Sequence, residues 1–246
     1  MEARLRRRVN LILGVLSSAL VTCCAVAALG ATAGAGVVTP SSVISTAESA
    51  IAKEASVHVV FVAQEGSPPK TETIVADVGR ASGTETATEG KASLVIILST
   101  TDAYVSGNSS GLTTIFGMSS ADAKKVGKDW ESWKAATSQY ADLKSDLTMS
   151  SVRALFPKAK GTRLTTVVSK GSTFSVLKWT IAATSSIPGV TNTLTVSSGA
   201  TTLPVTEVAR ISNGAKATTT LSGWGEPLAV GIPPVAATIP SSKING

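Results

Sequence analysis

Few residues of this sequence belong to the types that carry out chemistry. The one histidine, His58, lies between Val57 and Val59 in a stretch that is typical of a β-strand. A serine-hydrolase triad would depend on this single imidazole, because histidine is the usual general base of such a set. We find no catalytic set around it. We therefore predict that His58 is an outward-facing strand residue and that the protein is not an enzyme.

The acidic residues give no clear catalytic or metal-binding pattern either. Asp129 and Glu131 flank Trp130, and we interpret both carboxylates as solvated groups beside a buried ring. A metal site would need carboxylates at loop-ligand spacing, because the chain has one histidine and both of its cysteines lie near the N-terminus. No such spacing is present. We predict no metal and no cofactor.

Composition favours a folded protein that does not bind nucleic acid. Of 246 residues, 43% are hydrophobic and only 15% are charged, which is enough to form a core. The formal net charge is +6, and the first eight residues, MEARLRRR, contribute half of it. Aromatic residues make up 4% of the chain, too few for base-stacking surfaces. We expect no nucleic acid among its partners.

The N-terminal residues 1–36 have the pattern of an export signal or a membrane anchor. Four arginines precede a long apolar stretch, which ends in small residues suited to cleavage near Ala33 or Ala35. The apolar stretch is also long enough to cross a bilayer if it is not cleaved. A third alternative is lipidation of Cys23, since residues 20–23 resemble a lipobox, although Thr22 departs from its usual pattern. Each alternative predicts export to the cell envelope, with secretion or membrane attachment through the N-terminus.

We predict that residues 37–246 form one domain, in which a first helix is followed by strands, then by a helical block and then by strands again. Helical spacing of apolar residues predicts a first helix over 41–55, capped by Ser41 or Ser42. Alternating apolar residues predict strands at 57–65, 71–80, 94–98 and 102–108. A helical block follows, at 112–116, 119–127 and 145–159, with Trp130 and Trp133 inside it.

The last part of the domain returns to strands with three predicted turns, at 169–172, 198–200 and 213–214. This order predicts an α+β fold with one long antiparallel sheet and helices that cover one of its faces. The sequence GWGEP, around Trp224, interrupts the last strand-like stretch, which resumes at Leu228, Val230 and Ile232. We expect Trp224 either to cover a sheet edge or cavity rim, or to fill a gap in the core.

The order of these segments resembles the actinobacterial LppX/LprG-type lipoproteins, whose fold is similar to that of the LolA/LolB lipoprotein carriers. The segments that carry the resemblance are SSVISTAESAI, residues 102–130, DLTMSSVRALFP, LPVTEV and LSGWGEPLAVGIPP. Together with what lies between them, they span about four-fifths of the chain. The resemblance implies a curved antiparallel half-barrel with helices packed on its concave face.

The resemblance also implies a function, which is to hold a lipid or glycolipid in an apolar cavity between the sheet and the helices. We expect a monomer with a lipid partner. The alternative is a non-catalytic envelope scaffold or interaction protein whose core is filled, because a filled core and a lipid cavity need the same apolar face. The candidate cavity residues are Val59, Phe61, Leu94, Ile96, Leu112, Ile115, Phe116 and Leu155.

Overall fold

The structure, a computed structural model, describes residues 38–184, 188–199 and 201–244. The predicted export segment 1–36 and Cys23 lie outside these residues. The α-helices are α1, Pro40–Ile51; α2, Ser120–Val126; α3, Ser138–Asp146; and α4, Met149–Arg153. A short π-helical turn spans Gly111–Phe116, and single 3-10 turns span Val235–Ala237 and Ser241–Lys243.

Twelve strands within these ranges form one sheet. They are β1, Ser56–Glu65; β2, Lys70–Gly79; β3, Gly83–Glu89; β4, Ala92–Leu98; β5, Asp102–Gly107; β6, Trp130–Lys134; β7, Arg163–Ser169; β8, Ser172–Ile181; β9, Val190–Ser197; β10, Pro204–Ile211; β11, Lys216–Ser222; and β12, Thr238–Pro240.

The sheet is open and curved, with the strand order β12-β6-β5-β4-β3-β2-β1-β11-β10-β9-β8-β7. Each neighbouring pair is antiparallel except β12–β6, which is parallel. The two runs of consecutive hairpins meet where β1 pairs with β11, so the first and the penultimate strands lie side by side in the middle of the sheet. The predicted α+β fold, a curved antiparallel sheet with helices on its concave face, is confirmed.

Strand alternation places one apolar face of the sheet on the concave side. The register aligns Phe61 with Ile74 and Thr219 across β1, β2 and β11. The next row on the same face contains Val59, Ala76 and residues of β3 and β4. The main hydrophobic cluster lies over these central rows, and a smaller cluster lies beneath α1 on β8 and β9.

Helix α1 begins one residue earlier than predicted and ends sooner. Its N-cap is Thr39, whose side chain accepts a hydrogen bond from the Ser42 amide, with Pro40 as the first helical residue. Proline suits that position because its missing N–H is not needed there. At the other end, the Arg80 guanidinium donates to the carbonyls of residues 52–54, which close the helix at Ile51.

The predicted helix at 145–159 is much shorter in the structure, because only Met149–Arg153, helix α4, is helical beyond the last two residues of α3. Helix α3 ends at Asp146, and α4 begins at Met149, with Thr148 between them. Helix α3 was not predicted, because its sequence, SQYADLKSD, is polar and has only Tyr140 and Leu143 buried. Helix α2 is capped by Ser119, whose side chain accepts a hydrogen bond from the Asp122 amide.

The interpretation of Glu131 as a solvated residue in a helical block was wrong. Residues 130–134 form strand β6, whose two-residue period places Glu131 and Trp133 on the same buried face. Glu131 is 1% exposed, whereas Trp130, on the opposite face, is only half-buried. The segment with Trp130 and Trp133 was expected inside the helical block, and its pairing with β5 makes it a strand instead.

The expectations for the C-terminal stretch were also partly wrong. Strand β11 lies between β1 and β10, so Trp224 follows a central strand and does not cover a sheet edge. Gly223 and Gly225 both have a positive φ, of 59° and 74°, which forms a turn rather than a kinked strand. Trp224 packs partly buried against the main core cluster, and residues 226–234 form no strand.

Candidate functional site

The concave face of the central strands forms the floor of a cavity. Strand β1 contributes Val59 and Phe61, and β2 contributes Ile74, Ala76 and Val78. These residues alternate along their strands, so the two-residue period alone brings their side chains to one face. The floor therefore lies where the two hairpin runs meet, at the centre of the sheet.

Two short helices form the roof of the cavity. The Thr137 side chain caps α3 by accepting from the Tyr140 amide at 3.3 Å. The Tyr140 hydroxyl then donates to the Ser99 carbonyl at 2.9 Å, which fixes the start of α3 to the turn after β4. A single bridge between Gly79 and Thr148 holds the link between α3 and α4 to the end of β2. The roof is thus attached to the sheet at the start of α3 and at the link between its two helices.

Between floor and roof lies a cavity of about 100 Å³ that is partly open to solvent. Its lining is mostly apolar. The lining residues are Val59, Phe61, Ile74, Ala76, Val78, Glu85, Ile96, Phe116, Leu143, Asp146, Leu147, Ser151, Val152, Leu155, Thr219 and Leu221. An apolar cavity with few polar groups suits the hydrocarbon part of a ligand.

The polar members of the lining are two carboxylates and two hydroxyls. Glu85 lies in the floor, between Ala76 and Ile96 in the strand register. Asp146 ends helix α3 in the roof. The two hydroxyls belong to Ser151 and Thr219. No lysine, arginine or histidine is present among the lining residues.

A buried glutamate lies next to the cavity, beside the lining residue Thr219 on the concave face of the sheet. Glu207 of β10 faces Thr219 of β11 in the register, and the Thr219 hydroxyl donates to its carboxylate at 3.4 Å. Burial raises the pKa of Glu207 from 4.5 to about 7, because desolvation disfavours the charged form and the hydrogen bond from Thr219 offsets only part of it. The Glu207 carboxyl, next to the cavity, therefore changes its charge near neutral pH.

The structure brings five of the eight predicted cavity residues together. Val59, Phe61, Ile96, Phe116 and Leu155 line the cavity.

The other three, Leu94, Leu112 and Ile115, are buried in the core and do not line it. The reason is the close approach of the π-helical turn to β4, where a Cβ on Gly111 would lie 2.0 Å from the Ser93 carbonyl oxygen. That approach leaves no room for a cavity over the start of β4, at Ser93 and Leu94.

Sequence reasoning missed the other lining residues for two reasons. Ile74, Ala76 and Val78 alternate along the predicted second strand, so the two-residue pattern was sufficient to find them. Leu143 and Leu147 lie in and just after helix α3, whose polar sequence gave no amphipathic signal. Glu85 could not be identified, because a glutamate within a strand is normally assigned to the solvent face.

The reasoning also missed a motif. The sequence GNSSG, residues 107–111, has the Gly-x-Ser-x-Gly spacing of a hydrolase nucleophile. In the structure, the Asn108 side chain holds this segment in place. Its carbonyl oxygen accepts a hydrogen bond from the Gly111 amide at 2.7 Å, and its amide nitrogen donates one to the Lys91 carbonyl at 2.7 Å. His58 lies four strands away, roughly 19 Å at the usual strand spacing. The segment therefore positions the π-helical turn rather than a triad with His58.

His58 itself lies on the convex face. It alternates with Val57 and Val59, and its Nδ1 lies 2.7 Å from the Asp77 carboxylate on the neighbouring strand. Both side chains are partly exposed, at 38% and 51%. The imidazole therefore belongs to a surface pair on the opposite side of the sheet from the cavity.

The described residues contain neither a metal-binding cluster nor a membrane-spanning helix. No group of three or more His, Cys, Asp or Glu side chains is arranged to hold a metal ion in that part of the chain. None of the helices found in residues 38–184, 188–199 and 201–244 has the length and apolar character needed to cross a membrane.

Comparison with known proteins identifies the fold. No protein-family model matches the sequence, and no curated protein matches it. Among solved structures, LprF from Mycobacterium bovis is similar over 79% of this chain and 96% of that chain, with 14% identity and a TM-score of 0.51. LppX, a lipoprotein from Mycobacterium tuberculosis, matches 78% of this chain and 98% of that chain, with 14% identity and a TM-score of 0.37.

Of these two structures, LprF is the one whose similarity identifies the fold, because its TM-score is above 0.5 and that of LppX is not. At 14% identity, a shared structure is informative about the fold and not about activity. The resemblance to LppX/LprG-type lipoproteins that the sequence indicated is confirmed at the level of the fold.

Proposed function

We propose that this protein is exported to the cell envelope and binds the acyl part of a lipid or glycolipid between its sheet and its helices. The observation that carries the proposal is the apolar cavity over the central strands, which is partly open and is covered by helices α3 and α4. The predicted export segment at residues 1–36 supports the location, through a cleaved signal, a lipidated Cys23 or an uncleaved anchor. The protein acts as a monomeric carrier without catalysis.

The volume of the cavity sets a condition on binding. Ligand pockets usually measure about 300–1,000 Å³, and this cavity measures about 100 Å³. A micromolar affinity requires about 8 kcal/mol, which at about 0.8 kcal/mol per methylene corresponds to roughly ten buried methylenes. The cavity in its present form holds only part of such a chain. Uptake of a whole chain therefore requires α3 and α4 to move away from β1 and β2.

The experiment that tests the proposal is native mass spectrometry of the protein, expressed as the full chain in a related bacterial host and purified without detergent. The expected result is an adduct of lipid mass that organic extraction removes. A mass without adduct, together with no uptake of added phospholipid or glycolipid, would overturn the proposal. The remaining function would then be that of an envelope scaffold with a filled core.

A matched pair of variants locates the ligand. Ala76→Phe places a ring in the cavity, because Ala76 is in the floor and is 6% exposed. Val75→Phe places the same ring on the convex face, where Val75 is 39% exposed. The first variant is expected to lose the adduct and the second to retain it, with thermal unfolding measured for both to show that they are folded. Loss of the adduct from both variants would place the ligand elsewhere.

A further inference from the structure

Charge is distributed very unevenly along the sheet. Residues 38–146, which form β1–β6 and most of the helices, contain thirteen acidic and nine basic residues. Residues 147–206, which form α4, strands β7–β9 and the start of β10, contain six basic residues and no acidic residue. One end of the sheet is therefore positively charged, and it is the end at which β7 forms the edge.

Four of these basic residues lie in or next to the β7–β8 hairpin. Arg163 and Lys178 are directly opposite each other in the register. Both lie on the convex face, since alternation along β8 places its buried residues on the concave side, under α1. Lys170 is in the turn of the hairpin, Lys160 is in the loop before β7, and all four residues are exposed. Residues 160–178 are named the basic hairpin below.

The cations of the basic hairpin are not neutralised within the fold. None of the four forms an ion pair with another residue in the described ranges. Like charges directly opposite each other in a sheet are destabilising, so the pair of Arg163 and Lys178 costs the fold some stability. Glu48, the acidic residue of α1, lies on the other side of the sheet, because α1 packs on the concave face. An anion from outside the chain would therefore stabilise this surface.

The basic hairpin also exposes apolar side chains. Val167 is 43% exposed and Val168 is 69% exposed. Val167 lies opposite the half-buried Phe174, on the same convex face as Arg163 and Lys178. Cations mixed with apolar side chains suit an anionic bilayer, whose head groups attract the charges while the apolar groups enter the interface. A second copy of this chain suits the surface less well, because a symmetric contact would bring the same cations together.

The chain enters the domain at this same end. Val43 and Ile44, the first buried residues of α1, pack against β8 and β9. Val38, which precedes the helix, is 63% exposed. The predicted export segment at residues 1–36 therefore joins the domain near the basic hairpin. An uncleaved anchor or a lipidated Cys23 would hold this end of the sheet, rather than the other, next to the bilayer.

We propose that the basic hairpin docks on the surface of a bilayer that contains anionic phospholipids. Arg163, Lys170 and Lys178 bind the lipid phosphates, and Val167 and Val168 enter the region between the head groups and the acyl chains. The hairpin lies at the edge of the sheet, whereas the cavity lies over its centre. Docking therefore goes beyond the proposed lipid binding and does not depend on it.

The test is hydrogen exchange, measured by mass spectrometry on the full chain with two kinds of vesicle. One kind is phosphatidylcholine alone, and the other is equal parts of phosphatidylcholine and phosphatidylglycerol. We expect amides of residues 163–172 to exchange at least about threefold more slowly with the anionic vesicles, and those of β1–β5 to exchange equally with both. High salt should remove the difference, because it screens exposed charges.

Two results would overturn the inference. The first is equal exchange of the basic hairpin with the two kinds of vesicle. The second is protection of the hairpin that grows with protein concentration when no vesicles are present, because it would indicate contact between copies of the chain. If the hairpin is unprotected while native mass spectrometry still shows a lipid adduct, docking fails and the proposed lipid binding stands.

A pair of double variants tests the residues themselves. Arg163→Gln combined with Lys178→Gln is expected to weaken docking about 25-fold, at about fivefold for each charge removed, and so to abolish the difference between the vesicles. The matched control, Lys91→Gln combined with Lys128→Gln, removes two exposed charges beside β1–β6 and should retain the difference. The hairpin variant should unfold at the wild-type temperature or above it, because it relieves the repulsion across the strands. An unchanged difference in the folded hairpin variant would overturn the assignment.

Discussion

Replacement of Glu207 by glutamine should change how the stability of the protein depends on pH. Burial raises the pKa of the Glu207 carboxyl from 4.5 to about 7, and the side chain is 8% exposed. The folded protein therefore holds a proton that the unfolded chain releases between these two pKa values. The free energy of unfolding falls as pH rises through this window, because the folded state binds more protons there than the unfolded state does.

The size of the effect follows from the shift. About 2.5 pKa units correspond to about 3 kcal/mol of stability that is present below pH 4.5 and is lost by about pH 7. In Glu207→Gln the side chain cannot ionise, so this loss does not occur. We expect the stability of the variant relative to the wild type to rise by about 3 kcal/mol between about pH 4.5 and pH 8.

The assay is urea denaturation, followed by far-UV circular dichroism, at several pH values across this window. The change with pH is the quantity to compare, because any fixed cost of the buried amide cancels from it. Glu48→Gln, on the exposed face of α1, is the control for loss of one carboxylate. A relative stability of Glu207→Gln that is constant with pH, or that rises towards acid, would refute the reasoning.

Three further substitutions test how the fold holds the cavity. Gly111→Ala should destabilise the protein by about 3 kcal/mol or more in urea denaturation, since its Cβ would lie 2.0 Å from the Ser93 carbonyl oxygen. Tyr140→Phe should cost about 1–2 kcal/mol in the same assay, because it removes the buried hydroxyl that fixes α3. Asp102→Asn should destabilise the protein at neutral pH but progressively less as acid protonates the wild-type carboxyl. Burial is the largest single effect on the pKa of Asp102 and raises it, but the hydrogen bonds from Lys134 and Thr101 together outweigh burial, so the pKa is lowered. The stability that the ionised carboxylate contributes is therefore present above pH 3.8 and is lost as the pH falls below that value.

The parts of the fold that the sequence predicted are those with a strong local period. Strands β1, β2 and β5 lie within one or two residues of their predicted bounds, because their apolar residues alternate and turn residues follow them. The Asn213-Gly214 turn was predicted by the strongest local hairpin signal and joins β10 to β11. The pairing of β1 with β11 has no local signal, since it joins residues far apart in the sequence.

The candidate site was predicted less completely, and its polar residues explain why. A strand glutamate normally faces solvent, so Glu85, Glu131 and Glu207 gave no sign that they lie on the concave face. Their positions follow only from the register, which aligns them with Ile96, Val105 and Leu194. Apolar residues could be assigned to a face by alternation. Which of them line a cavity depends on how closely each helix approaches the sheet.

The distance between the helices and the sheet differs along the sheet, and this difference explains where the cavity lies. On one side, the π-helical turn comes so close to β4 that its backbone excludes any side chain at Gly111. On the other side, helix α1 packs Val43, Ile44 and Ala47 against β8 and β9. Between them, the central strands are covered mainly by α3 and α4, of nine and five residues, and the first is mostly polar. Two short helices cannot fill a floor to which five strands contribute, so the cavity forms over the junction of β1 and β11.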